Sequence, residues 1–278
     1  LLDRVLLRNV RSLADGTTLA EDGTARARIV APMTEPWIDA AERVQSELQA
    51  VTGVKVPIVP DSELTAGDWN SGNLIVIGNL LTSSAFARLY HNFFVCADVG
   101  YTGSTGYELR TVHEPFGAGC NIVALGAQAA DGLTRGTDRL LKLIRTHGKQ
   151  GQLVLPRLLE LERSGKDARA PARRKLSQSD IAKGKAYHDN VYARVGTERA
   201  AAHRVASDAM MYHRTGDEGY FELYRYGMKS HIDYYRENEY INSQGLGRYD
   251  RDFRDSWTWT FVVTWDLLEE HPNWNDEE

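Results

Sequence analysis

Apolar positions in the first 155 residues form short strand-like runs that alternate with segments of helical spacing. The helical segments are those in which apolar residues recur every three or four positions, and they cover residues 34–53, 83–91 and 131–147. The strand-like runs lie at residues 26–32, 54–60, 73–78, 93–98, 107–113 and 121–126. This order predicts an α/β sandwich-like domain, a mixed sheet with helices packed on it, over residues 1–160.

Strand-like runs stop after that domain, and the rest of the chain has helical spacing. Residues 161–176 contain a basic, Ala- and Pro-bearing cluster and are predicted to be a linker. Four helices are predicted after it, at residues 176–196, 197–216, 217–238 and 253–270. Short connections between such helices are typical of antiparallel hairpins. The fold class predicted is therefore α+β multidomain, with a helical domain over residues 177–278.

The last of these helices has mixed propensities. Its β-branched residues would suit a strand. Asp255, however, can cap a helix, and Trp257, Phe261 and Trp265 recur at helical spacing. The spacing favours a helix.

Composition and charge exclude several classes of function. The chain has 278 residues, of which 42% are hydrophobic and 26% charged, as is typical of a soluble globular protein. Its net charge is −5 and no long basic run occurs, so nucleic acid is not an expected partner. No apolar run approaches the roughly 18 residues that a membrane helix needs, so no membrane partner is expected.

Neither cysteine belongs to a metal-binding pattern. Cys96 and Cys120 lie in apolar runs, without the Cys or His spacing of a zinc site. We predict that both are small core residues, with a disulfide between neighbouring strands as the alternative. No G-x-S-x-G, H-E-x-x-H or calcium-loop pattern is present, and G-A-G-C-N-I precedes a strand instead of opening a helix. No metal and no cofactor are therefore predicted.

Residues 106–127 combine glycines with polar side chains and could be either a catalytic loop or a turn between strands. Alternation places Tyr107 and Leu109 on one face of a strand and Glu108 and Arg110 on the other. The H-E-P-F-G-A-G segment contains a proline that ends pairing and glycines that permit a tight turn. A hairpin is favoured, and His113 with Glu114 at an interface with the helical half is the alternative.

Residues 243–259 form the segment with the most candidate chemistry. Arginines bind carboxylate or sulfate groups through two parallel hydrogen bonds, and aromatic rings stack on the C–H faces of sugars. The proposed substrate-binding residues are Arg248, Arg251, Arg254, Trp257 and Trp259. The alternative is a solvated loop in which arginines pair with aspartates and the tryptophans belong to a helical core.

Two reactions are compatible with this segment. Hydrolysis needs two carboxylates roughly 5 to 10 Å apart, and Asp252 could supply one of them. Glu269 and Glu270, farther along the chain, are expected to be only a polar helix face. β-Elimination from a uronate needs a base and a group that neutralises the carboxylate, and Tyr249 beside Arg248 suits it best. Tyr249 and Asp252 are the candidate catalytic residues.

Two phrases of the chain resemble carbohydrate-active enzymes. The phrase G-Y-E-L-R-T-V-H-E-P-F-G-A-G-C-N-I-V-A-L-G-A-Q-A-A-D-G, with N-L-I-V-I-G-N, resembles the N-terminal domains of alpha-glucuronidases, alpha-N-acetylglucosaminidases and beta-hexosaminidases over residues 25–147. H-R-T-G-D-E-G-Y and D-S-W-T-W-T-F-V-V-T-W-D-L-L-E-E are similar to the start of the (α/α) toroid of heparinase II/III-like lyases and related glycosidases over residues 180–278.

These resemblances imply an accessory first domain and chemistry in the toroid. We expect an enzyme acting on acidic, uronate-containing glycans, as a lyase or as a toroid glycoside hydrolase, with a non-catalytic glycan-binding module as the alternative. The implied location is secreted or periplasmic. The chain lacks an initiator Met and ends on Asn-Asp-Glu-Glu, so we expect a piece of a longer protein, with further toroid helices after Glu278 as partners.

Overall fold

A computed structural model describes residues 15–165, 175–191, 198–237 and 257–274. The chain divides into two compact units. The first comprises Leu1–Glu160 and Glu270–Glu278, and the second comprises Leu161–Glu269. The α+β class predicted from the sequence is confirmed, since the first unit contains sheets with helices and the second contains helices.

The described elements alternate through the first unit and are helical afterwards. The strands are β1 (Gly16–Glu21), β2 (Thr24–Ala25), β3 (Ala27–Ala31), β4 (Ile58–Pro60), β5 (Asn73–Gly78), β6 (Tyr107–Val112), β7 (Ile122–Gly126), β8 (Gly148–Lys149), β9 (Gln152–Pro156) and β10 (Leu159–Glu162). The helices are α1 (Trp37–Thr52), α2 (Ser84–His91), α3 (Ala130–His147), α4 (Gln178–Val191), α5 (Glu198–Thr215), α6 (Glu218–Glu237) and α7 (Trp257–Leu268). No helix among the described residues has the length and apolarity that a bilayer span requires.

A six-stranded mixed sheet forms the centre of the first unit. Its order is β10-β6-β7-β5-β3-β4, in which β4, β3, β5 and β7 are parallel and β6 is antiparallel to β7. Alternate residues of β5 face opposite layers: Ile75 and Ile77 pack in the core with α1 and α3, whereas Leu74 and Val76 pack with α2. Because both faces are covered, β5 and β7 are continuous apolar runs.

The antiparallel pair of β6 and β7 confirms the predicted hairpin. Gly117 and Gly119 have φ of 71° and 73°, which glycine adopts without a steric penalty. The predicted faces of β6 also hold, because Leu109 packs in the core with α1 and α3 while Val112 packs in the core with α2. Glu108 and Arg110 share the second face and are buried there.

Two parts of the first unit differ from the prediction. Residues 93–98, predicted to be a strand, are not in a ladder, because the N–H groups of Cys96 and Ala97 donate to the Glu108 carboxylate at 2.8 and 2.9 Å. A second sheet, β2-β1-β9-β8, was missed, since its strands are short and partly polar. Cys96 and Cys120 are both free thiols, so the alternative of a disulfide between them is not observed. Both residues are half-buried, whereas the sequence predicted core positions.

The second unit consists of helices whose starts follow from capping residues. Asp217 begins α6, because its carboxylate accepts the Gly219 N–H at 3.1 Å and its carbonyl accepts the Tyr220 N–H at 2.9 Å. The segment of mixed propensity forms the helix α7, as its spacing predicted. Tyr220 and Tyr224 of α6 are buried in the core of this unit. The continuation of these helices into a toroid stays a prediction.

Candidate functional site

The candidate residues of the 243–259 segment fall outside the part of the chain whose side chains the structure describes. Arg248, Tyr249, Arg251, Asp252 and Arg254 lie in residues 238–256, which the structure does not describe. The backbones of Trp257 and Trp259 belong to α7, and their side chains are outside the described set. Their assignment to a glycan site stays a prediction, and so does the catalytic role of Tyr249 and Asp252.

The helical unit carries a groove built from other residues of the same chemical types. The groove has a volume of about 300 Å³. Its lining combines two cations, one carboxylate and an aromatic ring with a glycine and two leucines: Leu176, Asp180, Lys183, Gly184, Tyr187, Arg204 and Leu223. All of them belong to α4, α5, α6 or the residues just before α4.

Local sequence explains how α4 presents its part of the groove. The Ser177 hydroxyl accepts the Asp180 N–H at 3.2 Å and donates to the Asp180 carboxylate at 2.6 Å, which fixes the start of α4. Lys183 and Tyr187 are four positions apart on this helix, so they lie on one face. Gly184 lies between them in sequence, where a Cβ would come 2.5 Å from Leu223 Cδ2, so the glycine permits α6 to pack closely against α4.

Arg204 is held by a buried carboxylate. Its Nε donates to Asp208 Oδ2 at 3.1 Å, and Asp208 is only 2% exposed. The guanidinium carbon lies 5.9 Å from the centroid of the Tyr187 ring. Among the described residues the terminal nitrogens of Arg204 have no acceptor, so both can bind one carboxylate or sulfate in parallel.

Two buried histidines of the same unit, His188 and His231, interact with each other. His188 is fully buried, and its Nε2 is 3.7 Å from Asp208 Oδ2, too far for a hydrogen bond. Burial, together with the neighbouring His188, lowers the pKa of His231 to about 4. The helical core therefore places one imidazole, that of His188, close to the carboxylate that positions Arg204.

This arrangement can bind an anionic sugar. The guanidinium of Arg204 can bind a carboxylate, and the half-exposed Tyr187 ring can stack on the C–H face of a sugar. Lys183 adds positive charge, since it has no ion-pair partner among the described residues. Sequence reasoning missed this set. The i,i+4 pairs Lys183–Tyr187 and Arg204–Asp208 were visible signals, but their convergence requires two helices to pack together.

In the first unit, polar groups of the hairpin segment stabilise the fold. The His113 N–H donates to the Glu270 carboxylate, and His113 Nδ1 lies 3.0 Å from Asn121 Oδ1. The expectation that Glu270 belongs to a polar helix face is wrong, because α7 ends at Leu268 and Glu270 is 1% exposed. Burial raises the pKa of the Glu108 carboxyl. The positive charge of Arg110 and the hydrogen bonds from the N–H groups of Cys96 and Ala97 lower this pKa, but by less than burial raises it.

A second groove, between α1 and α3, is lined mainly by charges that pair with each other. It has a volume of about 720 Å³. Arg145 donates to Glu47 through Nε at 2.8 Å and through Nη2 at 2.6 Å, and Arg43 pairs with Asp138. Because this groove is lined by three carboxylates, those of Asp39, Glu42 and Glu47, against two arginines, the groove of the helical unit is the better candidate for an acidic ligand.

No family model matches the chain, and no curated protein matches it. Among solved structures, the protein is similar to the GH20 beta-N-acetylhexosaminidase from Streptomyces coelicolor A3(2), with 17% identity and a TM-score of 0.31. The match covers 66% of this chain and 31% of that chain, so this chain spans about a third of that enzyme. A likeness at this level assigns no role to any residue here.

Proposed function

We propose that the protein is a carbohydrate-active enzyme that acts on acidic, uronate-containing glycans and binds them in the groove of its helical unit. The observation that carries the proposal is Arg204, whose guanidinium is fixed by the buried Asp208 beside the Tyr187 ring. A fixed guanidinium loses little freedom on binding a carboxylate, which favours recognition. Lys183 in the same groove favours an anionic ligand over a neutral one.

The reaction that we propose is β-elimination. A base takes the proton at C5 of the uronate, the C4–O bond breaks with a double bond forming between C4 and C5, and an acid protonates the leaving oxygen. Neutralisation of the uronate carboxylate makes the C5 proton more acidic, and Arg204 can supply the positive charge. Tyr249 remains the candidate base, and the Tyr187 ring lies beside this cation, with its centroid 5.9 Å from the Arg204 guanidinium carbon.

The test uses the full chain with oligogalacturonate as the probe. The absorbance of the unsaturated product is followed together with release of reducing ends. We expect both signals to rise together, because elimination produces one double bond for each new reducing end. Reducing ends without the absorbance would identify a hydrolase. Binding with neither signal would identify a non-catalytic glycan-binding module.

Variants separate the groove from general charge effects. Arg204→Gln should weaken binding about tenfold or more, since truncating a bidentate charge pair costs on the order of 1.5–3 kcal/mol. Lys229→Gln is the matched control, because Lys229 is an exposed cation of the same unit that pairs with Asp233 instead of lining the groove. Equal losses in the two variants would contradict the proposal.

A further inference from the structure

The guanidinium of Arg88 in the first unit lies against two aromatic rings. Its central carbon is 4.8 Å from the centroid of the Trp69 ring and 4.3 Å from that of Phe116. The two rings meet edge to face, with centroids 5.1 Å apart and an interplanar angle of 84°. Phe94 also packs edge to face with Phe116, with centroids 6.1 Å apart and an angle of 87°. These four side chains are here called the Arg88 cluster.

Hydrogen bonds elsewhere in the unit fix the loop that carries Trp69. Arg28 on β3 donates to the Asp68 carbonyl at 2.8 Å and to the Ser71 hydroxyl at 2.7 Å, and it also pairs with the Asp68 carboxylate. The hydroxyl of Thr65, followed by Arg28, lowers the pKa of Asp68 to about 2. Trp69 is 5% exposed and packs in the core that contains α2. Its position is therefore set before any ligand binds.

The β6–β7 hairpin fixes Phe116 in the same way. The Gly117 N–H donates to the Glu114 carbonyl at 3.0 Å, and both residues have positive φ. Phe116 is half-buried, in contact with the core that contains Trp69. Arg88 itself is exposed in the last turn of α2. Three segments far apart in sequence thus converge on one guanidinium at the surface.

Arg88 differs from every other arginine that the structure describes in the first unit. The others each have an acceptor: Arg26 with Glu21, Arg28 with Asp68, Arg43 with Asp138, Arg110 with Glu108, Arg135 with the Thr105 carbonyl, Arg139 with Glu160, Arg145 with Glu47 and Arg157 with the Trp274 carbonyl. Within the described residues Arg88 has only the rings. Cation–π contact orients the guanidinium but uses none of its five N–H donors.

We propose that the Arg88 cluster is a second binding site, for the carboxylate or sulfate group of an acidic sugar. The guanidinium binds the oxyanion through two parallel hydrogen bonds. The half-buried rings of Phe116 and Phe94 offer apolar surface to the carbon body that carries the oxyanion. The oxyanion site stands on its own geometry, whereas the choice of a sugar as its carrier rests on the proposed function.

The test measures binding to the full chain carrying Arg204→Gln, so that the groove of the helical unit is weakened. Trigalacturonate probes the carboxylate, a sulfated disaccharide probes the sulfate, and the methyl ester of trigalacturonate is the neutral control. Calorimetric titration gives the affinity, and nuclear magnetic resonance of the arginine side chains shows whether the Arg88 N–H signals shift. We expect binding of one or both anionic probes and none of the ester.

Additional substitutions assign that binding to the cluster. Arg88→Gln should weaken it at least tenfold, and Arg88→Lys at least threefold, because lysine keeps the charge but loses the fork. Phe116→Leu, which keeps apolar volume without the ring, should weaken it about threefold. Arg26→Gln removes an exposed arginine of the same unit and should leave it unchanged.

Three outcomes would overturn the second site. The first is that the Arg88→Gln and Arg26→Gln chains bind the anionic probes with equal affinity. The second is that the ester binds as tightly as the acid. The third is that Arg88→Gln lowers the melting temperature and leaves the affinity unchanged. The last would show that the cluster only stabilises the fold. Activity assays on the chain with Arg204 intact test the proposed function separately, so that failure of one proposal is distinguishable from failure of the other.

Discussion

The two units differ in what their cores contain. The first unit buries an almost continuous apolar sheet between α1 and α3 on one face and α2 on the other. The second unit buries His188, Asp208 and His231 among its helices. The first unit also buries Glu108, whose pKa is raised by burial, and His271, so buried titratable side chains occur in both units. The second unit differs because burial and the neighbouring His188 lower the pKa of His231 to about 4.

Two helix glycines, one in each unit, differ in what an added Cβ would contact. In the first unit a Cβ on Gly132 of α3 would lie 2.0 Å from the Gly106 carbonyl oxygen, so that main chain meets main chain. In the second unit a Cβ on Gly184 of α4 would meet the side chain of Leu223. A backbone contact cannot relax without moving a segment, whereas a leucine can change rotamer.

The largest expected effect is that of Gly132→Ala. We expect a loss of about 3 kcal/mol or more in the free energy of unfolding, because the added methyl group forces α3 away from the Gly106 carbonyl. Urea unfolding measures the loss, and hydrogen exchange of peptides from residues 130–147 locates it. Gly184→Ala is the matched change in the second unit and should cost about 1 to 2 kcal/mol. Equal losses would contradict the contrast between these two glycines.

Acid should destabilise the second unit through His231. Its folded pKa of about 4 lies below its ordinary value of 6.5, so between these values the unfolded chain binds more protons. The neutral imidazole therefore contributes its full stabilisation above pH 6.5. As the pH falls from 6.5 to 4, the free energy of unfolding should decrease by about 3 kcal/mol.

Hydrogen exchange of residues 218–234 at pH 7 and at pH 4 measures this loss. The His231→Gln chain, which cannot titrate at this position, should show a smaller difference between the two pH values. The exposed His91 in the first unit is the control, and His91→Gln should leave the pH dependence unchanged. A His231→Gln chain as acid-sensitive as the native one would refute the assignment.

Helix caps should have smaller effects in both units. Ser83 accepts the Phe86 N–H at 3.2 Å at the start of α2, and Ser177 accepts the Asp180 N–H at the same distance at the start of α4. Each Ser→Ala substitution should cost about 1 kcal/mol of unfolding free energy. Ser177→Ala should cost more, since its hydroxyl also donates to the Asp180 carboxylate. Thermal unfolding of the two variants would show the order.

The smallest expected effect is that of Arg145→Gln in the groove between α1 and α3. The Arg145 side chain is 59% exposed although it binds Glu47 with two hydrogen bonds. Solvent screening keeps such a pair weak, and roughly 1 M salt should remove most of its contribution to stability. Melting temperatures at low and high salt test this. A loss that persists in high salt would show that the arginine stem, not its charge, stabilises the helices.

Local patterns account for most of the elements. The apolar runs that become β5 and β7, and the spacing that makes α7 a helix despite its β-branched residues, were sufficient for a correct prediction. Residues 93–98 have the same apolar character but do not form a strand. The Glu108 carboxylate binds their N–H groups, and this contact between distant residues has no signature in the segment itself.

The candidate sites were less predictable than the fold. The Arg204–Asp208 pair can be seen as an i,i+4 spacing, but the burial of Asp208, which makes the pair rigid, depends on the packing of α5 with its neighbours. The residues that the sequence favoured, around Tyr249, lie where the structure describes no side chains. Their role remains a prediction, and the two described sites come from residues that composition alone did not distinguish.

The sequence by itself determined the alternation of strands and helices in the first half, the helical second half and the hairpin of residues 107–126, because backbone periodicity and turn chemistry act over a few neighbouring residues. Only the tertiary structure decided which cations have partners. Arg28 and Arg88 are equally basic in the sequence, yet one is neutralised by Asp68 and the other rests on Trp69 and Phe116. Charge pairing depends on distances between segments, and those distances exist only after the chain has packed.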